Sequence, residues 1–480
     1  MASKIHPYLT EPDLVVLRSL FEDTTKDIRT SYKAQDRVPG PEAIDAIADE
    51  FSDLPHHDDI AIQQLKGLNN PEDPNFRPTV FVTWDDKDIP QVLNRYVVRP
   101  YARLAARIVR HPTDVVFLTH ILLYLFVNLP SAVWLFYSFT YVHGVAHAAF
   151  TFWCAGSFTL MLHNHIHNNG ILSRSWFWLD FAFPYIAEPL MGHTWDSYYY
   201  HHVKHHHVES NGPDDLSSTI RYQRDDIFHF LHYVGRFLLF VWIELPLYFA
   251  RRNKMRLAIR VFLSELVSFA FMYLMTKINP RAATFVLIIP FTLLRMGLMV
   301  GNWGQHALVD EIEPDSDFRS SITLVDVPSN RFCFNDGYHT AHHLNPRRHW
   351  REQPVHFLQS KEAYRQGRAL VFYNIDYLMM TVKLLQKDYM YLASCLVPMG
   401  DQIGMTQEEI AAMLRTKTRK FTEEDIQKKF SGNTAATSKR PFSAFSTAAQ
   451  SLRDLTERIS GVIYVGPRRV NAEISSRKTD

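Results

Sequence analysis

Three histidine clusters, at 163–167, 201–207 and 339–343, are the part of this sequence best suited to chemistry. They hold much of the chain's complement of 24 histidines. Neutral imidazole is the commonest metal ligand in proteins and suits zinc, copper, iron and nickel. Apolar stretches flank the clusters, and ionisable side chains beside a bilayer are costly unless they have a function. The clusters therefore predict ligands for a pair of metal ions held at a membrane surface.

Helical spacing selects the histidines that share a face, because residues three or four positions apart lie on the same side of a helix. The first cluster offers one such pair, and the second and third each contain the pattern H-x-x-H-H. The predicted ligands are His163, His167, His202, His205, His206, His339, His342 and His343. A register using His201 with His205 remains open in the second cluster. Structural or supporting roles are expected for His165, His201 and His207.

Asn302 and His306 form a quieter motif, four residues apart at the end of an apolar stretch. Such a pair alone is typical of a structural hydrogen bond, but beside two H-x-x-H-H clusters it predicts a ninth ligand at His306. Nine histidines overfill one zinc site, which uses three or four ligands. The HExxH motif of zinc proteases and the Glu-x-x-His motif of soluble di-iron bundles are both missing. An all-histidine site for two metals remains, and iron is the metal we favour.

Four acidic residues follow the second cluster and His306. They are Asp214, Asp215, Asp310 and Glu311. Carboxylates commonly accept the second ring N–H of a metal-bound histidine, which fixes the orientation of the ring. These four either do so here or are solvated loop charges, and the sequence favours neither reading.

Membrane-spanning helices must position the clusters. The predicted spans lie near 115–138, 145–162, 257–276 and 282–301. Each is close to the ~20 residues that cross a bilayer core, and together they form two hairpins. Four arginines precede the first span at four-residue intervals: Arg95, Arg99, Arg103 and Arg107. By the positive-inside rule they place the N-terminal side in the cytoplasm. A buried pair between Glu265 and Arg295 is expected across the second hairpin.

The segment 227–250 is also apolar but contains Arg236 and Glu244. If the three clusters build one site, they lie on one side of the membrane, and the number of crossings between them is even. Counting 227–250 as a crossing breaks that condition. We therefore predict that it lies at the membrane interface, as does 175–192.

Composition bounds the remaining possibilities. A net charge of +1 over 480 residues does not indicate a nucleic-acid partner. The three cysteines are too widely spaced for a disulfide scaffold or a thiolate metal site, and we expect no cleaved secretory signal at the polar N-terminus. The predicted organisation is a cytoplasmic region at 1–94, a membrane domain at 95–350, a cytoplasmic helical region at 351–430 and a largely disordered tail at 431–480. The predicted fold is an all-α membrane protein with four transmembrane helices, interfacial helices and a cytoplasmic histidine-rich domain.

The order and placement of these motifs resemble those of the membrane fatty acid desaturase superfamily. The resemblance covers roughly residues 95–350 and includes the Asn302/His306 motif and the sequence around the third cluster, from Asn335 to Pro346. One departure is Asn164, since an acidic residue often follows the first histidine of the first cluster. The resemblance implies a non-haem di-iron enzyme that uses O2 to introduce a double bond into a fatty acyl chain carried as acyl-lipid or acyl-CoA. It also implies that the nine histidines bind two Fe2+ ions and that Asn302 acts through a water.

Alternatives stay open within and outside that family. The same iron chemistry serves hydroxylases, epoxygenases and acetylenases, and a zinc-binding membrane receptor or transporter is the alternative of another class. The sequence shows no fused b-type cytochrome, flavin or nicotinamide fingerprint or ferredoxin cysteines. A separate electron donor is therefore expected, either a b-type cytochrome or a ferredoxin with its reductase. We expect a multi-pass protein, in the endoplasmic reticulum membrane if the source is eukaryotic, with the clusters and both termini cytoplasmic.

Overall fold

The computed structural model describes residues 10–35, 58–74, 76–84, 88–325 and 327–434. The predicted tail lies outside the described residues from 435 onward, and so does the helix that the sequence suggests near 448–463. Within the described residues the regular elements are helices, apart from two three-residue strands, Ile322–Leu324 and Leu370–Phe372, which pair in parallel. The mainly helical prediction is confirmed.

Five helices are long and apolar enough to cross a membrane, one more than predicted. They are Pro112–Tyr137, Tyr141–Asn168, Ile227–Arg251, Met255–Ile278 and Pro280–Gln305. The additional helix is Ile227–Arg251, whose two charged residues had argued against a span. Arg236 and Glu244 pair within that helix at 3.0 Å. Their charges are thus largely compensated, and length and composition alone admit the helix as a candidate span.

Three short π-helical segments interrupt these and the preceding helices, and each ends two residues before a proline. The segments are Asn94–Val98, Tyr124–Asn128 and Thr284–Ile288, followed by Pro100, Pro130 and Pro290. Proline lacks an N–H and its ring clashes with the carbonyl four residues earlier, so a wider turn accommodates it. A fourth π-helix, Tyr199–His206, contains no proline. Its cause must lie elsewhere, and it carries the second histidine cluster.

Polar contacts join the apolar helices. Asn128 donates to Thr151 at 2.8 Å, which links the first helix to the second. The expected pair is confirmed: Arg295 contacts Glu265 at 2.9 Å, and both side chains are buried. Thr194 also donates to Glu265 at 2.8 Å. These contacts tie the loop before the second cluster to the last two apolar helices.

The remaining α-helices are not candidate spans. Their bounds are Glu11–Gln35, Asp58–Asn69, Gln91–Leu93, Arg99–Ala105, Phe177–Leu190, His207–Glu209, Asp317–Ser320, Pro328–Phe332, His339–Leu344, Gln353–Gln359, Lys361–Gln366, Tyr377–Leu385, Tyr389–Ser394, Gln407–Thr416 and Glu423–Thr434. A capping box at Thr406 opens the helix Gln407–Thr416, since its side chain and that of Glu409 each accept a backbone N–H of the other residue. The last two apolar segments before residue 400 form separate helices, divided at 386–388.

The N-terminal helix is anchored directly beneath the third cluster. Asp13 is fully buried, and its Oδ1 accepts hydrogen bonds from Asn330 at 3.2 Å and from the Tyr338 hydroxyl at 3.1 Å. Tyr338 immediately precedes His339. The N-terminal region therefore helps to hold the third cluster in place.

Candidate metal centre

The first cluster lies at the C-terminal end of the helix Tyr141–Asn168. His163 and His167 are one turn apart there, as the spacing predicts. The helix ends at Asn169, which takes a left-handed conformation with φ of 53°. The second apolar helix thus presents both imidazoles at its end.

The second cluster is built differently from its predicted form. It occupies the π-helix Tyr199–His206, whose wider turns bring residues four and five apart onto one face. His202, His206 and His207 therefore point towards the other clusters, while His205 turns away. The α-helical spacing that grouped His202, His205 and His206 does not hold here.

The third cluster and His306 adopt the predicted local geometry. His339, His342 and His343 lie on the short regular helix His339–Leu344. His306 follows the last apolar helix directly, one turn after Asn302. Four separate chain segments thereby converge on one buried volume.

Among the described residues, five histidines form the larger of two all-histidine groups whose ligand atoms lie within 4.8 Å of one another. They are His163, His167, His202, His207 and His342. The Nε2 of His202 lies 2.8 Å from that of His163 and 3.1 Å from that of His207, and the Nε2 of His342 lies 2.8 Å from that of His207. His167 packs edge-on against these rings, and its Nε2 is buried without a protein hydrogen-bond partner.

The smaller group consists of His206, His306 and His343, again within 4.8 Å of one another. His339 adjoins this group, since its Nε2 lies 3.0 Å from that of His306 and 3.2 Å from that of His343. The third cluster is thus divided between the two groups, with His342 in the larger one. Two neighbouring sets of imidazole nitrogens, of five and four rings, result.

His205 lies outside both groups, in a buried cluster with His201 and Asp215. Its Nε2 accepts the Leu216 backbone N–H at 2.8 Å and lies 3.4 Å from Asp215 Oδ1. His205 thus helps to hold the loop that carries Asp215. The sequence analysis predicted a ligand at His205 and a supporting role at His207. The structure places His207 in the larger histidine group and His205 in the group with Asp215, which could itself hold a metal ion. The signal that could have found His207 is the run of three consecutive histidines, which leaves more than one register open.

Hydrogen bonds at the second ring nitrogen orient two rings of the smaller group. His206 Nδ1 contacts Asp215 Oδ2 at 2.7 Å, and His306 Nδ1 contacts the Ser320 carbonyl at 2.8 Å. Carboxylates and carbonyls in this position fix the tautomer with the proton on Nδ1 and leave Nε2 free to bind a metal. The donor set, the burial and these outer contacts fit two divalent transition-metal ions.

Burial favours the neutral form of His202, His207, His306 and His342, as metal binding requires. It lowers the pKa of His306 to about 3, with a smaller contribution from His206. Burial, followed by the neighbouring imidazoles, also holds the pKa of His202, His207 and His342 well below the ordinary value. Because each imidazole disfavours a positive charge on the next, the site presents lone pairs rather than protons.

The four candidate carboxylates differ in their contacts: one lies beside a histidine of the two groups, and three form ion pairs. Asp215 alone among them touches a grouped histidine. Burial would raise its pKa, but His206 and His205 lower it to well below the ordinary value. Asp214 pairs with Arg252 at 2.9 Å, Asp310 with Lys417 at 2.5 Å and Glu311 with Arg419 at 3.5 Å. These three are loop ion pairs.

Other polar residues near the site have structural partners. Asn302 Nδ2 donates to the Ser217 carbonyl at 2.9 Å and to the Tyr233 hydroxyl at 2.7 Å, so its predicted action through water stays a prediction. His165 lies 3.2 Å from Asp180 and His193 lies 3.2 Å from Thr159. A structural role was expected for His165.

Comparison with known proteins agrees with this geometry. The search of curated proteins and the search of solved structures each found no match. The family model for fatty acid desaturases matches residues 139–374, a range that contains all three clusters, Asn302 and His306. Five apolar helices accompany this domain, as expected of an integral membrane protein. Residues 139–374 therefore form a domain of the membrane fatty acid desaturase superfamily.

Proposed function

We propose that this protein is an O2-dependent, non-haem di-iron desaturase that introduces a double bond into a fatty acyl chain. The observation that carries the proposal is the convergence of nine imidazoles into two adjacent sets within a desaturase domain. When bound, two Fe2+ ions supply the oxidising chemistry that removes hydrogen from an unactivated C–H bond.

The larger set would hold one iron through His163, His167, His202, His207 and His342. The smaller set would hold the other through His206, His306, His339 and His343. Histidine nitrogens suit iron, and nine rings leave no need for the carboxylate ligands of soluble di-iron proteins. We retain Asn302 as a residue acting through a water at the second iron, because it lies one turn before His306 on the same helix.

The chain's own residues orient and shield this centre. Asp215 holds the His206 ring through Nδ1, and Ser320 does the same for His306. His205 and Ser217 hold Asp215 in turn, since Ser217 donates both its hydroxyl and its backbone N–H to Asp215 Oδ1 at 2.8 Å. This layered support keeps the nitrogen atoms in place before any metal or substrate binds.

We further propose four membrane crossings rather than five. The second and third clusters meet in one site, so the number of crossings between them is even. Three helices of sufficient length lie in that interval, and Met255–Ile278 with Pro280–Gln305 form a hairpin across a single intervening residue. Ile227–Arg251 would then lie along the membrane interface. The arginines before the first span favour a cytoplasmic N-terminus and cytoplasmic clusters, in the endoplasmic reticulum membrane if the source is eukaryotic.

Electrons for O2 reduction would come from a separate protein, a b-type cytochrome or a ferredoxin with its reductase. The acyl substrate would reach the larger histidine set through a cleft beside it. That cleft is lined by His163, His167 and His342 together with Asn335 and Trp350.

Expression in a host that lacks the activity tests the proposal. Lipid profiling of cells producing the wild type should show a new unsaturated acyl chain, and His342→Ala should abolish it. Purified wild type should contain about two irons per chain, since each set offers enough nitrogens for one ion. A product with added oxygen and no new double bond would favour a hydroxylase or epoxygenase, and a new triple bond an acetylenase. A single zinc with no lipid product would favour the receptor or transporter.

A further inference from the structure

A third group of side chains that can bind metal lies beside the two histidine sets. It consists of His201, His205 and Asp215, each of which offers one ligand atom within 4.8 Å of those of the other two. None of the three belongs to either histidine set. Two imidazoles and one carboxylate are ligands that zinc accepts, at Zn–N and Zn–O distances of about 2.0–2.2 Å. The group is therefore a candidate metal site of its own.

The π-helix Tyr199–His206, which carries the second cluster, also positions this group. His201 and His205 lie next to each other on it, with ring centroids 5.7 Å apart. Phe237 packs edge-on against His201 at a centroid distance of 5.0 Å. Asp215 enters the group from the loop that follows the helix. One short segment thus contributes ligands to the histidine sets and to this third group.

One imidazole nitrogen of each histidine in this group is buried without a hydrogen-bond partner among the described residues. These atoms are Nε2 of His201 and Nδ1 of His205. Buried polar atoms in native proteins nearly always have partners, so each exception needs an explanation. A neutral imidazole nitrogen that carries a lone pair gains a partner when it binds a metal ion. The unpaired Nε2 of His201 therefore points to a ligand within this group.

Two ligand atoms of the group are about as far apart as two ligands of one zinc ion. Nε2 of His205 lies 3.4 Å from Oδ1 of Asp215. Atoms bound to zinc at about 2.0–2.1 Å with tetrahedral angles are about 3.3 Å apart. The same Nε2 accepts the Leu216 N–H at 2.8 Å, and the same Oδ1 accepts the Ser217 hydroxyl at 2.8 Å. A zinc ion would replace both contacts, since the hydroxyl can rotate and Leu216 lines a pocket in which water can accept its N–H.

This pocket lies against the group and has a volume of about 110 Å³. Asp215, Leu216 and Tyr248 are among the residues that line it. The ring of Tyr248 packs edge-on against that of His205 at a centroid distance of 4.2 Å. A polar space of this size has room for water. It therefore offers an entry path for a cation and a water molecule as the fourth ligand of a tetrahedral site.

We propose that His201, His205 and Asp215 bind a zinc ion that is separate from the two histidine sets. Three protein ligands and a water suit tetrahedral zinc, and sites with nitrogen and oxygen ligands bind zinc more tightly than ferrous iron. Asp215 Oδ2 contacts His206 Nδ1 at 2.7 Å, so one carboxylate links the zinc to the smaller set. The zinc holds Asp215 in the position that orients His206. The assignment does not depend on the reaction proposed for the two sets.

Elemental analysis of purified full-length protein, from cells supplied with zinc and iron, tests the assignment. Wild type washed with a weak chelator should retain about one zinc per chain, because the site is buried and has three protein ligands. His201→Gln should lower the zinc content by about tenfold and leave the iron content unchanged, since it removes a ligand of the zinc alone. His201→Cys should restore the zinc, because a thiolate is also a zinc ligand.

X-ray absorption at the zinc edge identifies the site that the zinc occupies. Wild type should show about two imidazoles per zinc and no sulfur, whereas His201→Cys should show one sulfur at about 2.3 Å. Zinc bound in place of iron would show four or five imidazoles, because the two sets contain four and five rings. That result would contradict the proposal even if the zinc content were one per chain.

The matched control is His165→Gln. His165 also lies beside a carboxylate, with Nδ1 3.2 Å from Asp180, but it belongs to none of the three groups. Its replacement should leave the zinc content unchanged. Wild type without zinc, zinc retained by His201→Gln or equal zinc loss in the control would overturn the proposal. Iron content and lipid product decide the proposed function separately, since neither enters the zinc measurement.

Discussion

The second and third histidine clusters share the letters H-x-x-H-H but not the same geometry. In the third, a regular helix presents His339, His342 and His343 at the spacing that the letters suggest. In the second, the π-helix brings His207 rather than His205 into the larger histidine group, and His205 lies beside Asp215. The letters alone therefore do not identify the ligands, because one extra residue in a turn changes which side chains share a face.

The π-helices of this protein also differ in what causes their wider turns. Those at 94–98, 124–128 and 284–288 each precede a proline that forces them. The one at 199–206 contains no proline and carries site residues, as π-helical turns at functional sites often do. Here the contacts that His202, His206, His207 and Asp215 make in the folded site favour the wider turn.

Replacing His207 or His205 gives the sharpest test of this difference. His207→Ala should abolish product formation and lower the iron content, because it removes a nitrogen from the larger set. His205→Gln should keep the iron and most of the product, since the Gln side-chain oxygen can accept the Leu216 N–H in place of Nε2. Iron per chain by elemental analysis, beside lipid profiling, checks both variants. Loss of iron from His205→Gln with retention in His207→Ala would restore the α-helical reading.

Deleting one residue from each cluster directly tests the difference between the π-helix of the second cluster and the regular helix of the third. A π-turn is an α-helix with one residue added, so deleting Lys204 should restore an α-helix in which His202, His206 and His207 have the i, i+3, i+4 spacing. Iron binding should then persist, with product reduced by less than about tenfold. Deleting Ala341 from the regular third cluster should abolish iron binding, because His342 and His343 rotate by about 100°. Equal iron loss in both deletions would contradict the comparison.

Replacing Asp215 tests whether the carboxylate that holds His206 contributes to metal binding. Asp215→Asn removes the charge that holds His206 Nδ1, and changes of this kind typically cost about 10–100-fold in metal affinity or activity. We expect a decrease in that range, measured as iron retained during titration with a chelator and as product in vivo. Asp214→Asn, on the neighbouring exposed residue paired with Arg252, is the control and should leave both unchanged.

Much of the site followed from the sequence because local spacing determines it. The pair at His163 and His167, the third cluster and His306 all lie on helices whose faces can be counted from their residues. Helical spacing does not predict that His207 joins the larger group, that His342 lies in a different group from His343, or that Asp215 holds His206. These features depend on a π-turn and on contacts between segments far apart in the chain. The charges of Arg236 and Glu244 argued against a crossing at 227–250 in the sequence, and their pairing within the helix is a property of the fold that the sequence does not show.

The proline-associated π-turns should show the smallest effects. Pro130→Ala leaves every histidine in place and changes only the turn at 124–128, so iron content and product should stay within about twofold of wild type. Stability should fall by about 0.4–1 kcal/mol, because a proline at a compatible position restricts the unfolded chain. Thermal unfolding of the purified protein measures this change. A loss of iron from Pro130→Ala would mean that the proline-associated turns also shape the metal centre, and the distinction between the two kinds of π-turn would fail.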